Sequence, residues 1–307
     1  MTPFVRIGIG TAQFGMDYGI SNEFGKTPEE EVSAILERAS REGLRYIDTA
    51  YLYGDAEKTI GRILPSNSGF RIVTKLGVST PGEVRKSERS IEALFEQSLG
   101  ALRQKSVYAL LAHNAADLLA PEGERVWSVF NRLKEESKVE KIGASVYNPE
   151  EAFDLLERYP IELVQIPLNL LDQRMIARGV LQEMSDRGIE IHSRSCFLQG
   201  LLLMDEATLD PFFEPVKEKL SAYRKLCKVL GLSPIEVALF FVLSVSEIDC
   251  VVLGFNSLNQ FNEICEAVKK NITVDQLDFS AFAVDMPEIV EPRNWPRMGG
   301  EKSGSRT

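Results

Sequence analysis

Eight short apolar runs, each followed by a longer amphipathic stretch, constrain this chain more than any other feature. The runs are Ile7–Gly10, Arg45–Asp48, Arg71–Lys75, Tyr108–His113, Lys141–Ser145, Val164–Pro167, Glu190–Arg194 and Cys250–Leu253. Several are rich in Val and Ile with little polar alternation, which suits strands of a parallel sheet covered on both faces. Helical spacing between them predicts helices over Glu57–Ile63, Val84–Leu102, Glu122–Glu136, Pro149–Glu157, Met175–Asp186, Glu214–Leu230 and Ser257–Lys270. Thr27-Pro28-Glu29-Glu30 reads as an N-cap, a proline at the first helical position and an acidic first turn. That helix is expected to run to about Arg41 and to end at Gly43. Ser233-Pro234-Ile235-Glu236 repeats the start signal ahead of an extra helix, near Ser233–Val245, before the last strand. A succession of strand–helix units implies βαβ connections. At 307 residues, the eightfold count favours a closed (β/α)8 TIM barrel of the α/β class over an open doubly wound sheet. The expected organisation is one domain over residues 1–298, with a C-terminal tail, and a disordered segment over 299–307.

Composition narrows the function classes. The formal net charge is −10, which disfavours nucleic acid and anionic membrane surfaces as partners. The four cysteines, Cys196, Cys227, Cys250 and Cys265, form no Cys-x-x-Cys pair, and a reducing compartment suits them better than a disulfide framework. Only two histidines are present, His113 and His192, so no metal site is expected. Met1 to Gly10 lacks a basic segment followed by an apolar run, and no apolar stretch approaches the roughly 20 residues of a membrane span. A cytoplasmic protein is the resulting expectation.

In a barrel of this kind, reactive groups gather at the C-terminal ends of the strands. Strand two ends at Asp48, strand three at Lys75 and strand four at His113. Each has an ordinary explanation alone: a helix cap, a solvated cation, a structural imidazole. On three successive strands they would face one mouth. A buried acid beside a buried lysine is a charge pair in which each needs the other. Two tyrosines follow Asp48 closely, Tyr51 and Tyr53. A tyrosine beside the lysine would have its pKa lowered from about 10 toward neutrality, making it a usable proton donor.

At these residues the sequence resembles the aldo-keto reductase superfamily, through Asp-Thr-Ala-x-x-Tyr-Gly-x-x-Glu over Asp48–Glu57. The likeness extends from Gly8 to about Val268. It implies a catalytic set of Asp48, Tyr53, Lys75 and His113, with Tyr53 as general acid, and leaves Tyr51 as a neighbour. It also implies NAD(P)H-dependent reduction of an aldehyde or ketone to an alcohol, without a metal. Cofactor contacts carry over at Ser145 and Gln165, on the nicotinamide carboxamide. Val146 stands where the family usually has Asn. Aligned on Gly200-Leu201-Leu202, Ser195 matches a pyrophosphate-binding serine, and Gly200 would let the backbone approach the pyrophosphate. Arg194 falls where an aromatic usually stacks on the nicotinamide. Its planar guanidinium could stack too, or turn to a phosphate or an acidic substrate.

The segment after strand eight, opening at Gly254, leads into a helix and resembles the family's phosphate site. Gln260 and Glu263 match adenosine contacts. Asn256 stands where relatives often carry the cation that grips the 2′-phosphate of NADP. Family usage favours NADP(H) over NAD(H), and the neutral Asn256 keeps NADH in play. The expected substrate wall comprises Phe14, Tyr18 and Trp295, although Trp295 could equally dock the tail. The opening Gly8–Gly19 resembles bacterial members linked to surface-polysaccharide or amino-sugar pathways, which implies an oxidised sugar or sugar nucleotide as substrate. The expected partner is a small-molecule carbonyl compound, and the expected state a monomer or weak homo-oligomer. The rival reading is an NADP(H)-binding regulatory or redox-sensing barrel without significant turnover.

Overall fold

The computed structural model describes residues 3–78, 87–270, 272 and 277–296. Eight strands, β1 Ile7–Gly10, β2 Tyr46–Asp48, β3 Arg71–Leu76, β4 Val107–Ala112, β5 Val139–Ser145, β6 Leu163–Pro167, β7 Glu190–Arg194 and β8 Cys250–Gly254, follow one another around a closed barrel. Every neighbouring pair is parallel, and β1 closes the ring by pairing with both β2 and β8. The register places Gly10 beside both Asp48 and Gly254, so three strand ends stand level at the mouth. On the far side Ser145 pairs with Gln165, and Pro167 with Arg194.

The helices pack outside because each carries one apolar stripe. In Glu29–Glu42 the buried residues are Val32, Ile35, Leu36 and Ala39. Gly43 ends that helix in the left-handed region at φ 83°, where its N–H reaches back to Ala39 and Ser40. The start lies one residue later than expected: Pro28 occupies the cap position, and Thr27 instead donates its hydroxyl to the Phe255 carbonyl. The Ser233 start signal forms a full capping box with Glu236. It opens the helix Pro234–Ser244, whose residues Val237 to Val242 are all buried. Two expected helices differ in outline. Met175–Asp186 is two short helices, Arg174–Ala177 and Val180–Asp186, broken at Gly179 with φ 71°. The segment expected from Glu214 begins with a 3-10 stretch over Pro211–Val216 and becomes α-helical from Lys217 to Leu230. Residues 84–86 of the expected Val84–Leu102 helix, and the tail 297–307, lie outside the described residues; the helix itself covers Glu88–Leu102.

The barrel's N-terminal end is closed by a polar plug. Glu190 accepts hydrogen bonds from Tyr108, from Lys141 Nζ at 2.6 Å and from the His192 Nε2 side at 2.7 Å. Burial alone would raise its pKa, but His192, Lys141 and Tyr108 together hold the carboxyl well below the usual range. His192 is thus a fully buried member of the barrel interior, bonded to Glu190 and absent from the cleft lining. Among the described residues no single helix is long and apolar enough to cross a membrane, and no cluster of three or more His, Cys, Asp or Glu could hold a metal ion.

Candidate active site

The turn after β2 places the tyrosines. Thr49 N–H donates to Val73 and Tyr51 N–H to Lys75, so the chain follows β3 before it curls away. Tyr53 then closes a tight turn, its N–H on Ala50 and its carbonyl accepting from Ala56. Tyr51 turns outward and donates to Gln97 at 3.1 Å, whereas Tyr53 lines the mouth. Gly15 makes this possible: a Cβ there would lie 1.7 Å from the Tyr53 carbonyl, so only glycine lets the first loop press against the Tyr53 turn.

Behind Tyr53 stands the charge pair. Lys75 Nζ lies 2.6 Å from Asp48 Oδ2, with side-chain exposures of only 1% and 6%. The ammonium also donates to the Thr49 carbonyl at 3.0 Å, and Asp48 Oδ1 accepts from Gln165 Nε2 at 2.7 Å. Both carboxylate oxygens are engaged, and Lys75 keeps a further N–H for the neighbouring phenol. Its Nζ is 5.1 Å from the centre of the Tyr53 ring. Burial pulls the Lys75 pKa below its usual value, and Asp48 opposes that pull. The family motif's last residue, Glu57, is buried and accepts from Thr74 at 2.6 Å, steadying β3 next to Lys75. His113 meets the Tyr53 ring edge-on, with centroids 5.6 Å apart at 84°. Burial, then Lys75 and Arg194, push its pKa down to about 3, so it is a neutral imidazole. Its Nδ1 is buried without a partner among the described residues.

One expectation fails here. The Tyr53 pKa is raised, not lowered: burial dominates, the Asp48 carboxylate adds to it, and Arg194 opposes only in part. The lysine's charge is largely neutralised by Asp48 at contact distance, so desolvation of the phenolate wins. Tyr53 is therefore a protonated phenol at neutral pH, still a donor, but a tightly held one.

A cleft of about 260 Å³ opens beside these groups. It gathers Asp48, Tyr53, Gln165, Arg194, Ser195, Gly200, Gly254, Asn256, Gln260, Glu263 and Tyr18 around one space. Ser145 lies just behind, 3% exposed, accepting from Arg194 Nε at 3.4 Å. Two expected substrate residues are elsewhere. Phe14 is fully buried in the hydrophobic core, because the short helix Ala12–Gly15 turns that ring inward. Trp295 docks the tail: its Nε1 donates to the Ile289 carbonyl at 2.8 Å and its ring packs edge-on against Phe213. Gly200 has φ 95°, and a Cβ there would overlap Ser21, so its constraint comes from a facing loop. Sequence reasoning missed Tyr147, whose ring lies between the guanidinium groups of Arg194, at 4.4 Å, and Arg293, at 3.8 Å. The available signal was its place two residues beyond a strand end, on a mouth loop.

The family model for the aldo/keto reductase family matches residues 6–280. The chain belongs to that family and is an oxidoreductase of the kind that interconverts carbonyl compounds and alcohols with a nicotinamide cofactor. It is 25% identical over 311 aligned residues to an L-galactose dehydrogenase from Arabidopsis thaliana, covering 94% of this chain and 92% of that one. Among solved structures, the aldo-keto reductase AKR11C1 from Bacillus halodurans shares the fold with a TM-score of 0.70 at 21% identity, covering 86% of each chain. A glycerol dehydrogenase from Gluconobacter oxydans does so with a TM-score of 0.66 at 24% identity, covering 86% of this chain and 90% of that one.

The cleft residues fit a nicotinamide dinucleotide. Asn256 Oδ1 is buried on the cleft wall without a partner among the described residues, a group awaiting a hydrogen-bond donor. The helix Leu258–Lys269 opens nearby, capped by Ser257. Its first N–H, however, is already taken by the Glu31 carboxylate at 2.6 Å, and Asn256 N–H by Gln260 Oε1 at 2.9 Å.

Proposed function

We propose that this enzyme reduces an aldehyde or ketone to the alcohol, with Tyr53 as proton donor. The observation that carries the reading is the protonated Tyr53 phenol at the cleft wall, backed by the buried Asp48–Lys75 pair and faced by a neutral His113. A bound nicotinamide would supply the hydride to the carbonyl carbon. Tyr53 hydrogen-bonds the carbonyl oxygen and passes its proton there as negative charge develops. Lys75, held by Asp48, stabilises the phenolate left behind. His113 hydrogen-bonds the same oxygen and orients it, acting through a neutral ring. Gln165 holds the free oxygen of Asp48, and so keeps the pair in register with Tyr53.

The pH dependence tests this assignment. His113 carries no charge above a pH of about 3, so kcat/KM for reduction should show no acid limb near the ordinary histidine value of about 6.5. Activity should fall only on the alkaline side, as Lys75 loses its proton at a pH below the ordinary lysine value. An acid limb near 6.5 that His113→Gln removes would show that a charged imidazole does the work.

NADP(H) is the proposed cofactor on family usage, with NADH accepted as well. The support for NADH is local: Asn256 offers no charge to a 2′-phosphate, and Glu31 already occupies the helix's first N–H. Asn256→Arg should raise the NADPH-to-NADH ratio of kcat/KM by about tenfold, through one charge-assisted bond. An unchanged ratio would place the adenosine end elsewhere. A sugar-derived carbonyl is the proposed substrate, supported by the opening Gly8–Gly19 and by the relative named for L-galactose. The rival regulatory reading finds no particular support in this site.

A further inference from the structure

Among the described residues, the arginines around the mouth pair with carboxylates, with one exception. Arg174 pairs with Asp172 at 2.8 Å and with Glu291 at 2.9 Å. Arg293 pairs with Glu291 at 2.7 Å. Among the described residues Arg194 has no ion-pair partner and is the only Lys or Arg lining the cleft. Its hydrogen bonds go to neutral groups: the Val146 carbonyl at 3.0 Å, Ser195 Oγ at 3.3 Å and Ser145 Oγ at 3.4 Å. The last two are long, and they use three of five N–H bonds. Of the two carboxylates that line the cleft, Asp48 and Glu263, neither pairs with Arg194 among the described residues, and Asp48 has both oxygens committed to Lys75 and Gln165. Stacking on Tyr147, itself backed by Arg293, holds the guanidinium plane in place.

We propose that Arg194 is a substrate-specificity residue that binds a carboxylate or phosphate carried by the carbonyl substrate, so that the enzyme acts on anionic carbonyl compounds. The inference rests on the carbonyl-reductase reading and extends it to a substrate class. A half-buried cation without a counter-charge is costly, and an anionic ligand relieves that cost. The guanidinium edge matches the paired oxygens of either group. Arg194 stands where the two ends of the site meet: it bonds Ser145 and Ser195, on the side expected for the cofactor, and shares the cleft with Tyr53 and Gln165, which holds Asp48. The field of Arg194 is felt at Tyr53, Tyr18, Lys75 and His113, all at the proton-transfer end. The Asn256–Gln260 wall, by contrast, offers hydrogen-bonding groups and no cation. An anionic oxidised sugar falls within this class; a neutral one does not.

The test measures binding as well as turnover. Dissociation constants are measured by calorimetry, on enzyme saturated with NADP⁺, for para-(hydroxymethyl)benzoate and its methyl ester, and for glycerol phosphate and glycerol. The matching aldehydes are assayed for kcat/KM with NADPH. The wild type should favour at least one anion over its neutral counterpart by about tenfold or more. The acid pair and the phosphate pair then distinguish the two anions. Arg194→Met and Arg194→Gln should each collapse that ratio to near one, and Arg194→Lys should retain part of it. Arg178→Met, at an exposed arginine outside the cleft lining that pairs with Glu150, should leave it intact. Anions and neutral partners binding alike in the wild type would overturn the proposal, as would a preference that survives in both Arg194 variants. It is also overturned if Arg194→Met weakens NADP⁺ binding tenfold with the anion preference unchanged, which assigns the residue to the cofactor's phosphates. Binding with the expected preference but no turnover of any aldehyde would support Arg194 and count against the reductase reading alone.

Discussion

Tyr53→Phe should lower kcat at least about a hundredfold, the scale of a lost general acid, and leave the dissociation constant for the cofactor within about twofold. The substitution removes one oxygen and keeps the ring that His113 packs against edge-on. It also keeps the tight turn, which rests on backbone bonds to Ala50 and Ala56. Stability should therefore hold, and the effect should fall on the chemical step. Tyr51→Phe is the matched comparison. Its hydroxyl reaches Gln97 at the surface, so activity should stay near that of the wild type. A Tyr53→Phe enzyme with near-normal turnover would remove this residue from the mechanism.

Lys75→Met should have the largest effect on stability. Asp48 would be left 4% exposed with a hydrogen bond from Gln165 and no cation. Breaking a buried pair by removing one partner costs about 3–5 kcal/mol, readable by denaturant unfolding. Turnover should fall as well, because nothing then stabilises the phenolate of Tyr53. The double variant Asp48→Asn with Lys75→Met removes the orphaned charge. It should recover much of the stability and none of the activity. Such a split would separate the pair's structural cost from its catalytic use. A Lys75→Met protein as stable as the wild type would mean that Asp48 takes up a proton or water readily, and that the pair is less dry than its geometry implies.

Much of this molecule is legible in the sequence, and the physics says why. The eight strands are mostly buried runs, several of them rich in Val and Ile, and their centres are placed within a residue or two by that pattern alone. Caps are legible where a side chain makes them, as at Ser233 with Glu236. They are less so where backbone decides, as at Thr27, which serves Phe255 rather than its own helix. Gly179 breaks an otherwise regular amphipathic stretch because a left-handed residue gives no periodic signal. The loop aromatics were the weakest inference. Phe14 and Trp295 have polar and small neighbours in sequence, yet both rings turn inward, and a loop has no period to reveal which way a side chain points.

The chemistry followed the same division. Asp48, Lys75 and His113 stand out because strand ends share one mouth. The direction of the Tyr53 shift did not, because desolvation depends on everything packed around the phenol. Tyr147, Arg293 and Glu31 were missed for a related reason. Their partners lie 47, 146 and 227 positions away respectively in Arg194, Tyr147 and Leu258, and no local motif announces such contacts.

The central claim is tested most directly by mixing wild-type enzyme with NADPH, then with NADH, adding a reactive aromatic aldehyde bearing a carboxylate, and following the loss of reduced-nicotinamide absorbance. The account predicts aldehyde-dependent turnover with NADPH, measurable turnover with NADH, and formation of one alcohol per nicotinamide oxidised. Tight cofactor binding with no aldehyde-dependent oxidation of either nucleotide would contradict it, and would move the protein to the regulatory, cofactor-sensing class.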